Sequence, residues 1–187
     1  MKKAVIVRVP ATTANCGPGF DTVGIACTLY NQLELTITDS GNIQIKNIGE
    51  GSDSLPTDET NITYQAVQSV FAKVGYICSG LSMTMTNTIP LARGLGSSAA
   101  AIVAGLFAAN EILGSPLTQD ELLDMATVVE GHPDNVAPAL YGGIAISALN
   151  NAKVETLRLL PPRPLSLVVA VPAFALATKT ARRVLPK

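Results

Sequence analysis

The stretch that most constrains this chain is Pro90 to Ala101, PLARGLGSSAAA. It stands where an alternating segment, Leu81, Met83 and Met85, gives way to an alanine-rich run of helical character. Two glycines, two serines and three consecutive alanines at one strand-to-helix junction leave the backbone nearly bare. An ordinary turn has no use for so much smallness; a loop that wraps around a large anion does. A helix start carries unpaired N–H groups and partial positive charge. Gly94 and Gly96 lack a Cβ, so the backbone there can take unusual φ and approach a ligand closely. Successive amides can then point inward as an anion nest. Ser97 and Ser98 add hydroxyls that can cap the helix, meet a phosphate oxygen or ligate a cation. The spacing differs from two familiar phosphate loops. No lysine follows Gly96, as G-x-x-x-x-G-K-[ST] requires, and Gly94-Leu95-Gly96 lacks the third glycine of G-x-G-x-x-G. A glycine turn with a serine N-cap, packed between helix and sheet, is the structural alternative.

Composition narrows the setting. A chain of 187 residues holds one or two domains with a sizeable core. Aromatic residues make up only 4% and Trp is absent, so that core is built from Ala, Val, Ile and Leu. A net charge of -1 provides no electrostatic footprint for nucleic acid or an anionic membrane. Mean hydropathy is +0.35, which raises the question of a membrane span. The two most apolar stretches answer it: one ends at Asn110 and Glu111, the other is broken by Ser166 and Pro172, and both are too short. Arg8 and Pro10 end the apolar N-terminal run too early for a signal peptide. Cys16, Cys27 and Cys78 have no paired or metal-type spacing. Their odd number suits a reducing, cytoplasmic location, with Cys16 as a small filler in a polar loop.

Periodicity supplies the elements. Residues 3–9 read as a buried strand. Leu33, Leu35 and Ile37, then Ile43 and Ile45, alternate around Ser40-Gly41-Asn42 and predict a hairpin. Residues 61–74 predict a helix closed by Gly75, and 81–85 a strand. Ser97 to Leu113 predicts the second helix, closed by Gly114. Thr118 and Glu121 form a capping box for a third that ends near Glu130, with Gly131 at its stop. Strands are expected at 143–148, 153–160 and 165–171. This order of elements is α+β and not a regular β-α-β alternation. Thr178 to Leu185 reads as the first turns of another helix, and nothing after it completes a domain. The expectation is therefore a first domain over 1–160 and the truncated start of a second over 161–187.

Three further clusters carry chemistry. In Pro10 to Asp21, Asn15 and Asp21 frame a loop loosened by Gly17 and Gly19. A carboxamide and a carboxylate there suit a polar small molecule, although Asn, Gly and Pro also build turns unaided. Glu130 to Asn135, EGHPDN, holds the only histidine, His132, beside Asp134 and Asn135. His132 can be read as a partner of a helix C-terminus, but so many hydrogen-bonding side chains in six residues favour a site. Thr178 and Arg182 are four apart and share a helix face, where an Arg fork could take a carboxylate. On spacing alone, a surface helix is the stronger reading of the two.

Together these segments resemble the GHMP kinase superfamily, which includes galactokinase, homoserine kinase and mevalonate kinase. PLARGLGSSAAA is similar to its P-x-x-x-G-L-G-S-S-A-A phosphate loop. PATTANCGPGFDTVG, EGHPDNVAPALYGG and the TKTAR segment resemble the homoserine kinase branch. The resemblance implies an α+β N-terminal domain of ribosomal protein S5 domain 2-like fold, a mixed sheet with helices packed on it. It implies ATP and Mg²⁺ and transfer of phosphate to the side-chain hydroxyl of L-homoserine, giving O-phospho-L-homoserine for threonine synthesis. It also leaves a homodimer open. Carried over by position, Pro90, Leu91, Ala92, Arg93, Gly94, Leu95, Gly96, Ser97, Ser98, Ala99 and Ala100 would wrap the triphosphate, with Ser97 or Ser98 near Mg²⁺. Asn15 and Asp21 would hold the amino acid, Asp21 facing its ammonium, while His132 and Asp134 line the same pocket. Arg182 would grip the carboxylate beside Thr178. The Mg²⁺ carboxylate comes from the helix before EGHPDN, where Asp124 and Glu130 are both available. Mevalonate-type members carry an aspartate that can act as base where Asn135 stands, and an amide takes no proton at neutral pH. Catalysis then rests on positioning and charge stabilisation, with Asp21 or a γ-phosphate oxygen receiving the hydroxyl proton. A third, late glycine-rich motif and a second substrate arginine are not found in these residues. The expectation is that the 187-residue piece alone has little kinase activity.

Overall fold

The computed structural model describes residues 2–151, 153–171 and 174. Its organising element is one long strand. β1 (Ala4–Ala14) and β2 (Val23–Ile37) pair antiparallel along most of their length. The other edge of β2 is shared: Gln32–Ile37 pairs with β4 (Leu81–Asn87), and Val23–Ile25 with β5 (Ile144–Asn150). β3 (Ile43–Gly49) lies outside β4, and β6 (Lys153–Leu159) outside β5. The six strands form one sheet in the order β3-β4-β2-β5-β6, with β1 on β2. Only the β3–β4 pairing is parallel, so the sheet is mixed and the fold is α+β.

The expected hairpin between the strands at 33–37 and 43–45 does not form, because β4 comes between them. Burial explains the order. Leu33, Leu35 and Ile37 stand opposite Met85, Met83 and Leu81, and all six are buried. β3 alternates Ile with Gln and Lys at its start and is mostly exposed, with no buried residue, which suits an edge. The strand expected at 165–171 is also absent: those residues run without regular structure, and no described strand lies beside them to complete a ladder. Thr178 and Arg182 fall outside the described residues.

Among the described residues, four helices pack around one another and against the sheet. α1 (Ile62–Val74) begins at Asn61, whose side chain accepts from the Thr63 and Tyr64 amides, and ends on left-handed Gly75. α2 (Ser97–Ile112) is the central helix, packed against α1, α3, α4, β1 and β2. Its alanines suit that place, since close approach from every side leaves no room for larger residues. Gly105 marks the tightest point, where a Cβ would fall 2.5 Å from the Thr63 carbonyl oxygen. α3 (Gln119–Glu130) carries the expected capping box.

α4 (Pro133–Tyr141) is an element that periodicity did not supply, and it begins inside EGHPDN. His132 is the extended N-cap of α4, and its Nδ1 meets Asp134 Oδ1. Pro133 at the first helical position is a start signal; Pro138 inside the same helix masked it. Lacking an N–H, Pro138 cannot bond back to Asp134. That carbonyl instead abuts β2 at Gly24, where a Cβ would lie 1.7 Å from it. Gly24 therefore sets how closely α4, with its polar N-terminus, lies on the sheet.

Candidate functional site

A cavity of about 580 Å³ opens where the N-terminal ends of α1, α2 and α4 converge. Its floor is the segment from Leu91 to Ser98. Ala92, Gly94 and Gly96 all have positive φ, of 53°, 72° and 65°. Gly96 is the N-cap of α2, and no side chain caps that end. Gly96, Ser97 and Ser98 line the cavity, so the helix start faces open space in the arrangement expected of an anion cradle. Gly96 has a second constraint: a Cβ there would sit 2.0 Å from Thr12 Oγ1. The Arg93 guanidinium folds back on the loop and donates to the Leu91 and Ala92 carbonyls at 3.2 and 3.3 Å. Ala99 and Ala100 are fully buried; they pack the helix behind the loop and do not line the cavity.

Beside this floor, Ser98 Oγ donates to Glu130 Oε2 at 2.9 Å. Burial raises the Glu130 carboxyl above its ordinary value; the Ser98 hydrogen bond and His132 pull it down, and Asp134 pushes it up. Asp124, the other carboxylate considered for a metal, lies elsewhere. Its Oδ1 accepts from the Val154 amide at 2.8 Å, tying α3 to β6, and it does not line the cavity.

The adjoining wall holds Asn15, His132 and Asn135. Asn15 is left-handed, with φ 58°, and its Oδ1 accepts from the Asp21 amide at 3.0 Å, which closes the loop between them. Asp21 is itself left-handed, with φ 56°, and stands outside the cavity lining. Asp134 is fully buried behind the wall. Its Oδ1 meets His132 Nδ1, and Oδ2 has no hydrogen-bond partner. The expected residues thus divide into those that face the cavity (Asn15, Ser97, Ser98, Glu130, His132, Asn135) and those that support or adjoin it (Asp21, Asp134).

The far end of the cavity comes from residues that motif reading missed: Leu55, Pro56, Thr60, Asn61, Ile62, Met85 and the carboxamides Asn31 and Asn87. Asn31 Oδ1 accepts from the Thr88 and Ile89 amides at 2.8 and 3.0 Å, and its Nδ2 donates to Asn87 Oδ1 at 3.1 Å. These positions come from separate strands and loops, so only Asn61, as a helix cap, carried a local signal.

Residues 61–143 match the family model described as the GHMP kinases N terminal domain. The chain carries a GHMP kinase N-terminal domain. It is 48% identical over 182 residues to a homoserine kinase of Carboxydothermus hydrogenoformans, covering 97% of this chain and 59% of that protein. It is 51% identical over 181 residues to a homoserine kinase of Moorella thermoacetica, covering 97% and 60%. The chain thus spans about three fifths of the length of these curated relatives. Among solved structures, a homoserine kinase from Cytophaga hutchinsonii superposes with a TM-score of 0.82 at 33% identity, covering 100% of this chain and 61% of that one. The mevalonate kinase of L. major, at 21% identity and a TM-score of 0.66, shares the fold. No described helix is long and apolar enough to cross a membrane.

Proposed function

We propose that this GHMP domain is the nucleotide-binding part of an ATP-dependent kinase acting on the side-chain hydroxyl of L-homoserine. In this reading residues 1–160 form the first domain and 161–187 open the second. The observation that carries the proposal is the Ser98–Glu130 contact, which sets a hydroxyl and a carboxylate beside an uncapped helix start, with Asn15, His132 and Asn135 alongside. The homoserine kinase names of the relatives supply the acceptor. The three described cysteines are unbridged, in keeping with a cytoplasmic location.

The residues present fit a nucleotide with Mg²⁺. The described residues hold no cluster of three or more His, Cys, Asp or Glu side chains suited to a metal. A single carboxylate with a hydroxyl is a hard-oxygen set, and Mg²⁺ commonly takes one or two carboxylates together with substrate phosphates. Glu130 and Ser98 would hold it, in preference to Asp124, and Ser97 would share the phosphate. Bound there, the ion neutralises phosphate charge. The base would occupy the apolar and carboxamide-lined end, and the segment from Leu91 to Ser98 would hold the triphosphate, with Pro90, Ala99 and Ala100 supporting it from outside the lining.

The hydroxyl oxygen of the acceptor forms a bond to the γ-phosphorus as the bond to the ADP oxygen breaks. Its proton goes to a γ-phosphate oxygen, because the Asn135 amide cannot take it and Asp21 stands outside the cavity lining. Asn135 orients the reacting groups, a sufficient role for a loose phosphoryl-transfer transition state. His132, held by Asp134, and Asn15 contact the amino acid. Thr178 and Arg182 remain assigned to its carboxylate. ADP release assayed on the full-length protein with homoserine, mevalonate and galactose tests the reading. Turnover with homoserine alone supports it. Turnover with mevalonate or galactose moves the chain to another GHMP kinase, and ATP binding without transfer makes it a nucleotide-binding regulator.

A further inference from the structure

We infer that Thr12 is a positioning residue that locks the phosphate loop and Asn135 into one register. The inference rests on the kinase reading above. Along β1 the buried side chains Val7, Val9 and Ala11 alternate, so the next residue should face away from the core. It does not: the pairing with β2 shifts register between Pro10 and Thr12, and Thr12 is as fully buried as Ala11. Such bulges re-aim a side chain at the cost of ladder regularity.

The re-aimed threonine joins two parts of the site. Its backbone amide donates to the Leu95 carbonyl at 3.1 Å, inside the phosphate loop. Its hydroxyl donates to Asn135 Oδ1 at 2.9 Å, at the start of α4. The Gly96 α-carbon presses against the same hydroxyl, since a Cβ there would lie 2.0 Å from Thr12 Oγ1 and 3.2 Å from Asn135 Oδ1. Loop, strand and helix thus meet at one oxygen.

The contact also gives Asn135 its polarity. Asn135 Nδ2 donates to Asp134 Oδ1 at 3.4 Å, so that end of the amide is NH₂. The opposite end is then a carbonyl, which needs a donor, and Thr12 is that donor. Without the hydroxyl, Asn135 Oδ1 loses its partner and the amide is free to turn. Because Asn135 lines the cavity, a turned amide presents the wrong atom to the reacting groups.

The test uses the full-length protein with Thr12→Val, Thr12→Ala and Thr12→Ser, alone and in an Asn135→Ala background. Thr12→Val and Thr12→Ala are expected to lower kcat with homoserine about tenfold or more, as loss of an aligned group does, while nucleotide affinity stays within about threefold. Thr12→Ser should keep kcat within about threefold of the parent. In the Asn135→Ala background, removing the hydroxyl should cost almost nothing further, because the two act as a unit. A second readout needs no acceptor: the Asn135 side-chain amide signals in ¹⁵N-labelled protein should shift in Thr12→Val and Thr12→Ala but not in Thr12→Ser. If the amide signals shift while homoserine is never phosphorylated, the kinase reading fails and the positioning role stands. Unmoved amide signals, a parental kcat in the folded Thr12→Ala variant, or additive losses with Asn135→Ala would overturn the inference.

Discussion

Ser98 on the first turn of α2 donates to Glu130 on the last turn of α3, at 2.9 Å, where the phosphate loop meets the cavity wall. The pair is a compromise between stability and binding. Burial raises the Glu130 carboxyl, so the folded state favours its protonated form. Below the ordinary carboxylate range this preference stabilises the fold. As pH rises through the raised value, the charge must be held in a poorly solvated place and that stability is lost. Glu130→Gln should therefore raise the melting temperature of the nucleotide-free protein by a few degrees at neutral pH, with the gain fading in acid. The same change should cut Mg²⁺-dependent turnover on the order of a hundredfold in the full-length protein. Melting curves across pH, with and without Mg²⁺ and ATP, check both halves.

Gly24 and Asp134 are the second dependency. With a Cβ at Gly24 only 1.7 Å from the Asp134 carbonyl oxygen, and 2.8 Å from Pro138 Cγ, α4 would have to move off β2. Gly24→Ala should cost about 1–3 kcal/mol of stability, the usual penalty of overpacking. The displaced helix carries His132 and Asn135, so the KM for homoserine should rise more than the KM for ATP. Urea unfolding and steady-state kinetics separate the two effects.

How far these features could be read in advance depends on how local their causes are. The capping box of Thr118 and Glu121 and the glycines of the phosphate loop act within a few residues, and the structure reproduces them where they were expected. Strand order is different. Nothing around Ser40-Gly41-Asn42 shows that Met83 and Met85, forty residues later, will take the place beside Leu33 and Leu35. α4 was concealed by Pro138, whose lost hydrogen bond is offset by a close approach to a distant glycine. Thr12 was concealed by a bulge that strand periodicity does not contain. Asn31 and Asn87 reach the cavity from two strands paired only in the folded sheet.

Gly96 faces two demands that only a glycine can meet at once. Its φ is 65°, and its α-carbon faces the Thr12 hydroxyl with no room for a side chain. Gly96→Ala should weaken ATP binding about tenfold or more, since left-handed backbone costs about 1–2 kcal/mol for an L-residue before the clash is counted. Gly94 has open space around it and faces only the first demand, with φ 72°. Gly94→Ala should therefore be the milder of the two. Calorimetric titration with a non-hydrolysable ATP analogue ranks them.

Asn135 offers the sharpest separation of positioning from base catalysis. Its Nδ2 faces Asp134 Oδ1 at 3.4 Å, and Asp134 is wholly buried. Asn135→Asp would set a second carboxylate against the first. Like charges so close hold one carboxyl above its ordinary value. The variant should match the parent in acid and become less stable as pH rises through that value, by roughly 1–3 kcal/mol at neutral pH. If the residue positions, Asn135→Asp and Asn135→Ala should both turn over homoserine slowly with nucleotide affinity unchanged. A rate above the parent in Asn135→Asp would instead mean that the site lacks only a base, and a parental rate in Asn135→Ala would remove the residue from the mechanism.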